Sequence, residues 1–216
     1  MSKKYEIFLF DLEGTITDSA LGITNSVMYA LKKFGIEETD RTKLYKFIGP
    51  PLTESFEKFY GFTKEQSLDG VKYYREYYHD KGIYENRVYD GLEEVLKKIN
   101  EAGKQAIVAT SKPEKYAKII IDHFHLTQYF ACVAGMEMDG GRGTKAQVIT
   151  YALEKNDITD KSKVLMIGDR EHDVIGAHEN GLDCLSILYG FGSRKEFEEA
   201  GADYIRENVE DILQFV

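Results

Sequence analysis

Two carboxylates follow a short apolar segment near the start of the chain. The segment 5–10 is rich in aromatic and β-branched residues, and it is followed by Asp11, Glu13 and Gly14. Such a segment predicts a strand that is buried on both faces of a parallel sheet. An acid where this strand ends would lie in the crevice in which open α/β folds bind their ligands. Gly14 permits a sharp turn with backbone N–H groups directed at whatever Asp11 faces, although capping of that turn is an alternative role for Asp11.

Other polar groups stand at the ends of further predicted strands or at the start of a helix. Because the carboxyl ends of parallel strands point to the same edge of a sheet, residues at those ends converge although they lie far apart in sequence. We therefore expect one site to collect them. They are Thr110 at the end of the segment 105–110 with Ser111 after it, Lys145 after the glycine-rich run 140–144, and Asp169 and Asp173 after the segment 163–168.

Together these groups suit a phosphate ester and a hard cation. Mg²⁺ prefers near-octahedral oxygen ligation by one or two carboxylates, a substrate phosphate and water. The carboxylates of Asp11, Asp169 and Asp173 would repel one another strongly without such a cation. A hydroxyl, backbone amides and an ammonium group are suitable partners for phosphate oxygens. The residue types therefore predict Mg²⁺ as the cofactor and a small-molecule phosphate ester as the ligand.

The elements that position these residues change in character along the chain. From about residue 86, predicted strands alternate with predicted helices, which together with the first strand specifies a doubly wound parallel sheet. Residues 17–85 instead carry four helical patterns with no strand between them. We therefore predict an α/β fold in which a Rossmann-like core, residues 1–16 and 86–216, carries an inserted four-helix cap domain, residues 17–85.

The predicted element bounds follow from periodicity and from glycine and proline breaks. The core strands are predicted at about 105–110, 129–134, 163–168, 183–188 and 202–205, and the core helices after the second strand at about 114–124, 144–155, 173–180, 194–200 and 209–215. In the insertion, the first helix is predicted over about 20–34, and a capping box is predicted at Thr63.

Composition is typical of a globular protein. The chain has 216 residues, of which 43% are hydrophobic, and no apolar run approaches the roughly 18 residues that span a bilayer. We therefore expect no membrane partner and a cytoplasmic location. The net charge of −9 and the pI near 5.2 argue against binding to a nucleic-acid polymer. Cys132 and Cys184 are expected to be buried free thiols, and the chain is expected to be a monomer or a dimer.

Four short motifs occur in order across essentially the whole chain. They are Asp11-Leu12-Glu13-Gly14-Thr15, Thr110, Lys145, and Gly168-Asp169 with Asp173. In this order and at strand ends, they resemble the four motifs of the haloacid dehalogenase superfamily of phosphatases, in the subgroup with a helical cap. The runs 47–52, 110–113 and 168–177 are similar to the branch that contains phosphoglycolate phosphatases and bacterial 5′-nucleotidase-like enzymes.

The resemblance implies a phosphatase that transfers the phosphoryl group to Asp11 and then hydrolyses the aspartyl-phosphate. It also implies roles for the neighbouring residues. Mg²⁺ would be held by Asp11, Asp169, Asp173 and the backbone carbonyl of Glu13, while the phosphate oxygens would contact Gly14, Thr15, Thr110, Ser111 and Lys145.

The resemblance further implies that the cap closes over the site and contacts the leaving group. The candidates for this contact are Lys46, Gly49, Pro50 and Arg75. An Arg or Lys that faces a phosphate ester is chemically sensible, although a charge on a surface helix is more often simply solvated.

Glu13 departs from the family pattern, which usually has Asp at this position as general acid and base. Glu has the right functional group but one more methylene, and a displacement of about 1 Å can cost roughly a hundredfold in rate. Three interpretations stay open: a working Glu with an adjusted backbone, a weakened enzyme, or a protein that binds the ester without turnover. A sugar phosphomutase of the same family is a further alternative.

Overall fold

The apolar segment that precedes Asp11 is a strand, β1 (Ile7–Phe10). In this computed structural model, which describes residues 4–137 and 141–216, Phe8, Leu9 and Phe10 are completely buried. Burial on both faces explains why the strand is a continuous apolar run instead of alternating with polar residues. The prediction of a doubly buried strand before Asp11 is confirmed.

Helical elements dominate the chain between residues 20 and 82, as predicted. The second of them is a 3₁₀ helix, and the two-residue strand at 17–18 was missed because so short a segment carries no periodicity. The elements are β2 (Thr17–Asp18), α1 (Ala20–Lys33), the 3₁₀ helix Arg41–Phe47, α2 (Leu52–Tyr60), α3 (Lys64–Tyr77), the π-helical turn Tyr78–Gly82, and β3 (Arg87–Val88), which forms a two-stranded sheet with β2.

The insertion has its own aromatic core and its own helix punctuation. The rings of Phe47 and Phe56 meet edge to face with centroids 5.1 Å apart, and Phe56 stacks on Phe62 at 5.5 Å. Thr63 forms the predicted capping box, in which its hydroxyl accepts from Gln66 N at 3.2 Å and its N–H donates to Gln66 Oε1 at 2.9 Å. These local signals explain why the helices form where the sequence predicts them.

Strands and helices alternate through the remainder of the chain, as predicted. The strand predicted to end at Thr110 continues to Pro113, and the last helix is of the 3₁₀ type. The elements are α4 (Leu92–Glu101), β4 (Gln105–Pro113), α5 (Glu114–His123), the 3₁₀ helix Thr127–Tyr129, β5 (Phe130–Met136), α6 (Lys145–Lys155), the 3₁₀ helix Lys161–Lys163, β6 (Val164–Gly168), α7 (Glu171–Glu179), β7 (Asp183–Ile187), α8 (Arg194–Ala200), β8 (Tyr204–Arg206) and the 3₁₀ helix Val209–Phe215.

Six of the strands form one parallel sheet in the order β5-β4-β1-β6-β7-β8. β1 is central, and its Leu9 pairs with Ile107 of β4 and with Met166 of β6. These three residues belong to a buried cluster that also includes Val148 and Ile149 of α6. The predicted α/β fold with a doubly wound parallel sheet is confirmed. Because β1 lies between β4 and β6, the ends of these three strands are neighbours.

The described chain divides into two compact units, Met1–Thr17 with Val88–Val216, and Asp18–Arg87. The assignment of residues 1–16 and 86–216 to a core domain and of 17–85 to a cap domain stays a prediction. Both cysteines are free thiols, but Cys132 is only partly buried, whereas Cys184 is buried as expected. Among the residues that the structure describes, no helix is both long and apolar enough to cross a membrane.

Candidate active site

Lys145 is the centre of a buried charge cluster at the carboxyl edge of the sheet. Its Nζ lies 2.9 Å from Asp11 Oδ1 and 2.7 Å from Asp173 Oδ1, and it donates to the carbonyl of Ala109 at 2.9 Å. These three oxygens come from the residue after β1, from β4 and from α7. The structure therefore brings together three residues that the sequence placed at separate ends of elements.

Local structure at the start of α6 fixes the position of Lys145. The hydroxyl of Thr144 accepts from Gln147 N at 3.2 Å, and the Gln147 side chain accepts in return from Thr144 N at 3.2 Å. Gly176 of α7 lies against the lysine side chain, where a Cβ would come within 2.7 Å of Lys145 Cγ. Of the predicted glycine-rich turn 140–144, Gly140 lies outside the described residues.

Asp169 and Asp173 are both completely or almost completely buried beside this lysine. Asp169 accepts from Thr15 Oγ1 at 3.2 Å through Oδ1 and from Phe191 N at 2.8 Å through Oδ2. Asp173 Oδ2 accepts from the amides of Asp169 and Arg170 at 3.1 and 3.0 Å, at the beginning of α7. Backbone amides thus anchor one oxygen of each carboxylate.

Burial and mutual repulsion perturb these groups. Burial raises the pKa of Asp169 well above its usual range, and the charges of Asp173 and Asp11 raise it further. Burial also raises the pKa of Asp173, although Lys145 opposes the shift. Burial alone would lower the pKa of Lys145, but the carboxylates of Asp11 and Asp173 outweigh it and the pKa is raised. When all three carboxylates are ionised, their mutual repulsion therefore exceeds what the charge of Lys145 offsets.

The donor set fits a hard divalent cation. Ligand oxygens of Asp11, Asp169 and Asp173 lie within 4.8 Å of one another. Oδ1 of Asp11 and Oδ1 of Asp173 are buried and both lie against the single ammonium of Lys145, at 2.9 and 2.7 Å. With Glu13 and Lys112 included, four carboxylates face two ammonium groups. Oxygen-only ligands and uncompensated negative charge are what Mg²⁺ requires.

The amide of Gly14, in the turn after Asp11, points in a different direction from the one predicted. It donates to Thr17 O at 2.8 Å within the turn, so this N–H is not directed at a phosphate beside Asp11. The residue has φ +78, and a Cβ on it would collide with the carboxylate of Asp169. Gly14 is thus required for the close approach of Asp169, and the neighbouring Thr15 donates to that carboxylate instead of facing outward.

Thr110 is buried but is not the last residue of its strand, in contrast to the prediction. The pairing of β4 with β5 shifts register between Thr110 and Pro113, which leaves Ser111 and Lys112 in an irregular stretch. The hydroxyl of Thr110 accepts from Lys112 N at 3.2 Å, and Ser111 is partly exposed. A register irregularity of this kind typically re-aims side chains beside active sites.

Lys112 is a site residue to which the sequence reasoning gave no role. Its Nζ donates to Glu13 Oε1 at 2.6 Å, and only 6% of the Lys112 side chain and 17% of the Glu13 side chain are exposed. The available signal was that Lys112 closely follows the predicted strand end at Thr110, at the same edge of the sheet as Glu13. The two residues are 99 positions apart, so spacing alone did not connect them.

The loop 188–192, which follows β7, was also missed. Phe191 N donates to Asp169, and the hydroxyl of Tyr189 donates to the carbonyl of Thr15 at 3.0 Å. A Cβ on Gly190 would meet both Asp169 and the carbonyl of Gly14. The signal for this loop was the alternation of glycine and aromatic residues directly after a predicted strand.

The four candidates for substrate contact lie in the unit Asp18–Arg87. Lys46 is exposed, with its Nζ 4.3 Å from the centroid of the Phe59 ring, and Arg75 is exposed on α3. Gly49 has φ +102 and is exposed, and Pro50 is partly buried. Their contact with a leaving group stays a prediction.

Comparisons with known proteins place the chain among haloacid dehalogenase-like hydrolases. A sequence profile of haloacid dehalogenase-like hydrolases matches residues 8–187. A 5′-nucleotidase from Pseudomonas aeruginosa is 44% identical over 89% of this chain and 87% of its own length. The tyrosine-protein kinase PtkA of Mycobacterium tuberculosis is 35% identical over 87% of this chain, which spans 63% of PtkA. The crystal structure of a predicted phosphatase from Clostridium acetobutylicum is 46% identical, covers 98% of both chains and superposes with a TM-score of 0.92.

Proposed function

Because the chain belongs to the haloacid dehalogenase-like hydrolase family and is a hydrolase of phosphate esters, we propose that it acts through an aspartyl-phosphate on Asp11. The single observation that supports this most is the ammonium of Lys145 between Asp11 and Asp173, with both contacts below 3 Å. A carboxylate is a weak nucleophile, but phosphoryl transfer depends mainly on positioning and charge stabilisation. The buried ammonium supplies both beside Asp11.

In the first step, a carboxylate oxygen of Asp11 forms a bond to phosphorus while the bond from phosphorus to the leaving oxygen breaks. Glu13 donates its proton to that oxygen, and the alcohol departs. Lys145 stabilises the charge on the transferring group, and Thr110 and Ser111 offer hydroxyls to the phosphate oxygens.

In the second step, water attacks the phosphorus of the aspartyl-phosphate. The carboxylate of Glu13 takes a proton from this water, and the bond from phosphorus to the Asp11 oxygen breaks. Inorganic phosphate and the original carboxylate are regenerated, and Glu13 is again protonated for the next cycle.

Asp11, Asp169, Asp173 and the backbone carbonyl of Glu13 are the groups that would hold Mg²⁺. When bound, the ion would neutralise charge on the phosphate and on the surrounding carboxylates. The fit of this donor set supports Mg²⁺ as the cofactor, because the three clustered carboxylates of Asp11, Asp169 and Asp173 carry more negative charge than the ammonium of Lys145 neutralises.

A 5′-nucleotide is the first substrate class to test, and a phosphoglycolate-like ester is the second. The likeness to a 5′-nucleotidase at 44% identity favours the nucleotide. The same likeness favours hydrolysis over the mutase and over binding without turnover. Tyr74 and Tyr78 do not add support as partners for a nucleobase, since both are buried and stack on each other at 5.3 Å.

The test is steady-state hydrolysis of a panel of esters with Mg²⁺: AMP, UMP, phosphoglycolate, glucose 1-phosphate and p-nitrophenyl phosphate. Asp11→Asn is the blank. We expect turnover of at least one natural ester above this blank, and a loss of about 10²–10⁴ in kcat for Glu13→Gln. Turnover no higher than that of Asp11→Asn would refute the mechanism. Unchanged kcat in Glu13→Gln would refute only the role of Glu13 as acid and base and would leave the rest of the mechanism standing.

A further inference from the structure

We propose that Lys112 is a positioning residue, whose ammonium holds the longer carboxylate of Glu13 in place for proton exchange with the leaving group and with water. The inference rests on the proposed role of Glu13 as acid and base. Its direct support is the contact of 2.6 Å between Lys112 Nζ and Glu13 Oε1, in a pair that is mostly shielded from solvent. Charge-assisted hydrogen bonds of this length are among the strongest and most directional in proteins.

Three features restrain the backbone around Lys112, so its ammonium is presented from a fixed position. Its amide donates to the hydroxyl of Thr110 at 3.2 Å. Its carbonyl lies where Gly135 allows close approach, since a Cβ on Gly135 would come within 2.6 Å of that oxygen. Pro113 follows it with φ −53 at the beginning of α5. The ammonium is therefore presented by a preorganised segment instead of a mobile loop.

Glu13 needs such a partner more than Asp would. Its additional methylene adds a rotatable bond, and each ordered rotamer of a long side chain costs free energy. An ion pair at one carboxylate oxygen restricts that freedom and leaves the other oxygen for proton transfer. An Asp at position 13 would be shorter and would not span the same distance to Lys112. The presence of Glu and the buried lysine together is thus explained by one interaction.

The test is a double-mutant cycle with Lys112→Met in the natural and in the Glu13→Asp background, assayed with AMP and p-nitrophenyl phosphate. Lys112→Met retains the length of the side chain and removes its charge. We expect kcat to fall by about 10–100-fold in the natural background and by less than about 3-fold with Asp at position 13, with KM changed less than about 3-fold. Lys112→Arg should retain most of the activity because it keeps the charge.

Lys104→Met is the matched control. Lys104 also makes a hydrogen bond of 2.6 Å, from its Nζ to the carbonyl of Tyr5, but lies at the opposite end of β1. We expect this variant to keep the natural kcat. Thermal unfolding of every variant shows whether the fold is intact, and Lys112→Arg provides the comparison if Lys112→Met does not fold.

Several results would overturn the inference. An equal fall in kcat in both backgrounds would mean that Lys112 acts independently of Glu13. An unchanged kcat would mean that the ion pair positions nothing, and an increased kcat would mean that it withholds the carboxylate. These failures differ from failure of the proposed function, in which no ester is hydrolysed above the Asp11→Asn blank. Full kcat in Glu13→Gln would remove the acid and base role of Glu13, and with it this inference, but not the aspartyl-phosphate on Asp11.

Discussion

Lys145 and Lys112 are two buried lysines at the same edge of the sheet, but they are held in different surroundings. Lys145 lies among oxygens from three elements, and its side chain is 4% exposed. Lys112 is paired with Glu13, whose side chain is 17% exposed at the rim of the site. Lys145 is enclosed by its contacts, so the side chains that surround it cannot change length without losing one of them. Glu13, at the more exposed rim of the site, can accommodate one additional methylene. The departure from the family pattern occurs at the rim.

The largest effect is expected at the charge cluster around Lys145, the centre of the site. Lys145→Met would leave two buried carboxylates facing each other, so the free energy of unfolding should fall by about 3–5 kcal/mol. Hydrolysis should also be lost, because no other described ammonium contacts Asp11. Urea unfolding measures the first effect. Lys118→Met is the control, because its exposed ion pair with Glu114 is worth only about 0.3–0.5 kcal/mol, and an equal loss in both variants would contradict the comparison.

Metal addition tests whether the centre carries excess negative charge. Mg²⁺ at about 100 times its Kd should raise the free energy of unfolding by roughly 2.7 kcal/mol relative to protein in EDTA. Asp169→Asn should lose most of this gain, since it removes one of the three carboxylates. Asp80→Asn, a matched change at an exposed position, should retain it. A gain that is the same in all three proteins would place the ion elsewhere.

Glycine substitutions separate backbone strain from crowding at the centre. Gly14 and Gly181 have φ +78 and +72, so an alanine at either position should cost about 1–2 kcal/mol. Only at Gly14 would the Cβ also displace the carboxylate of Asp169, which should add about 1–3 kcal/mol. Thermal or urea unfolding measures both variants. Equal costs would show that Asp169 moves aside freely, in conflict with a tightly fixed centre.

The smallest expected effect concerns the loop 188–192, which supports the centre from outside. Tyr189→Phe removes the donor to the carbonyl of Thr15 and should cost about 1 kcal/mol of unfolding free energy. The activity should change little, because the lost hydrogen bond joins Tyr189 to a backbone carbonyl and not to the side chain of a proposed site residue. Tyr45→Phe, at a tyrosine that is 44% exposed, should cost nothing measurable in the same urea titration.

The sequence predicted the fold well because its signals are local. A continuous apolar run specified β1, and the capping residue Thr63 marked a helix start. The convergence of Asp11, Lys145 and Asp173 was predicted from topology alone, because the carboxyl ends of parallel strands meet at one edge. Their observed contacts agree with that expectation, while their catalytic roles stay predictions.

The parts that were missed depend on contacts between distant residues. Lys112, which pairs with Glu13, lies within the register shift of β4, and that shift has no sequence signature of its own. The direction of the Gly14 amide depends on which carbonyl closes the turn, and Thr17 is that acceptor. The loop 188–192 donates to Asp169 through a backbone amide, and a backbone donor carries no side-chain signal.

The central place of β1 has a consequence for how the chain folds during synthesis. β1 is made first, but it pairs with β4 on one side and with β6 on the other. Since 154 residues separate Thr15 from its hydrogen-bond partner Asp169, translation at about 5–20 residues per second delays their meeting by roughly 8–30 s. Throughout that interval the edge of β1 that pairs with β6 is unpaired. An unpaired strand edge can pair with another chain, so association between chains competes with folding during this interval.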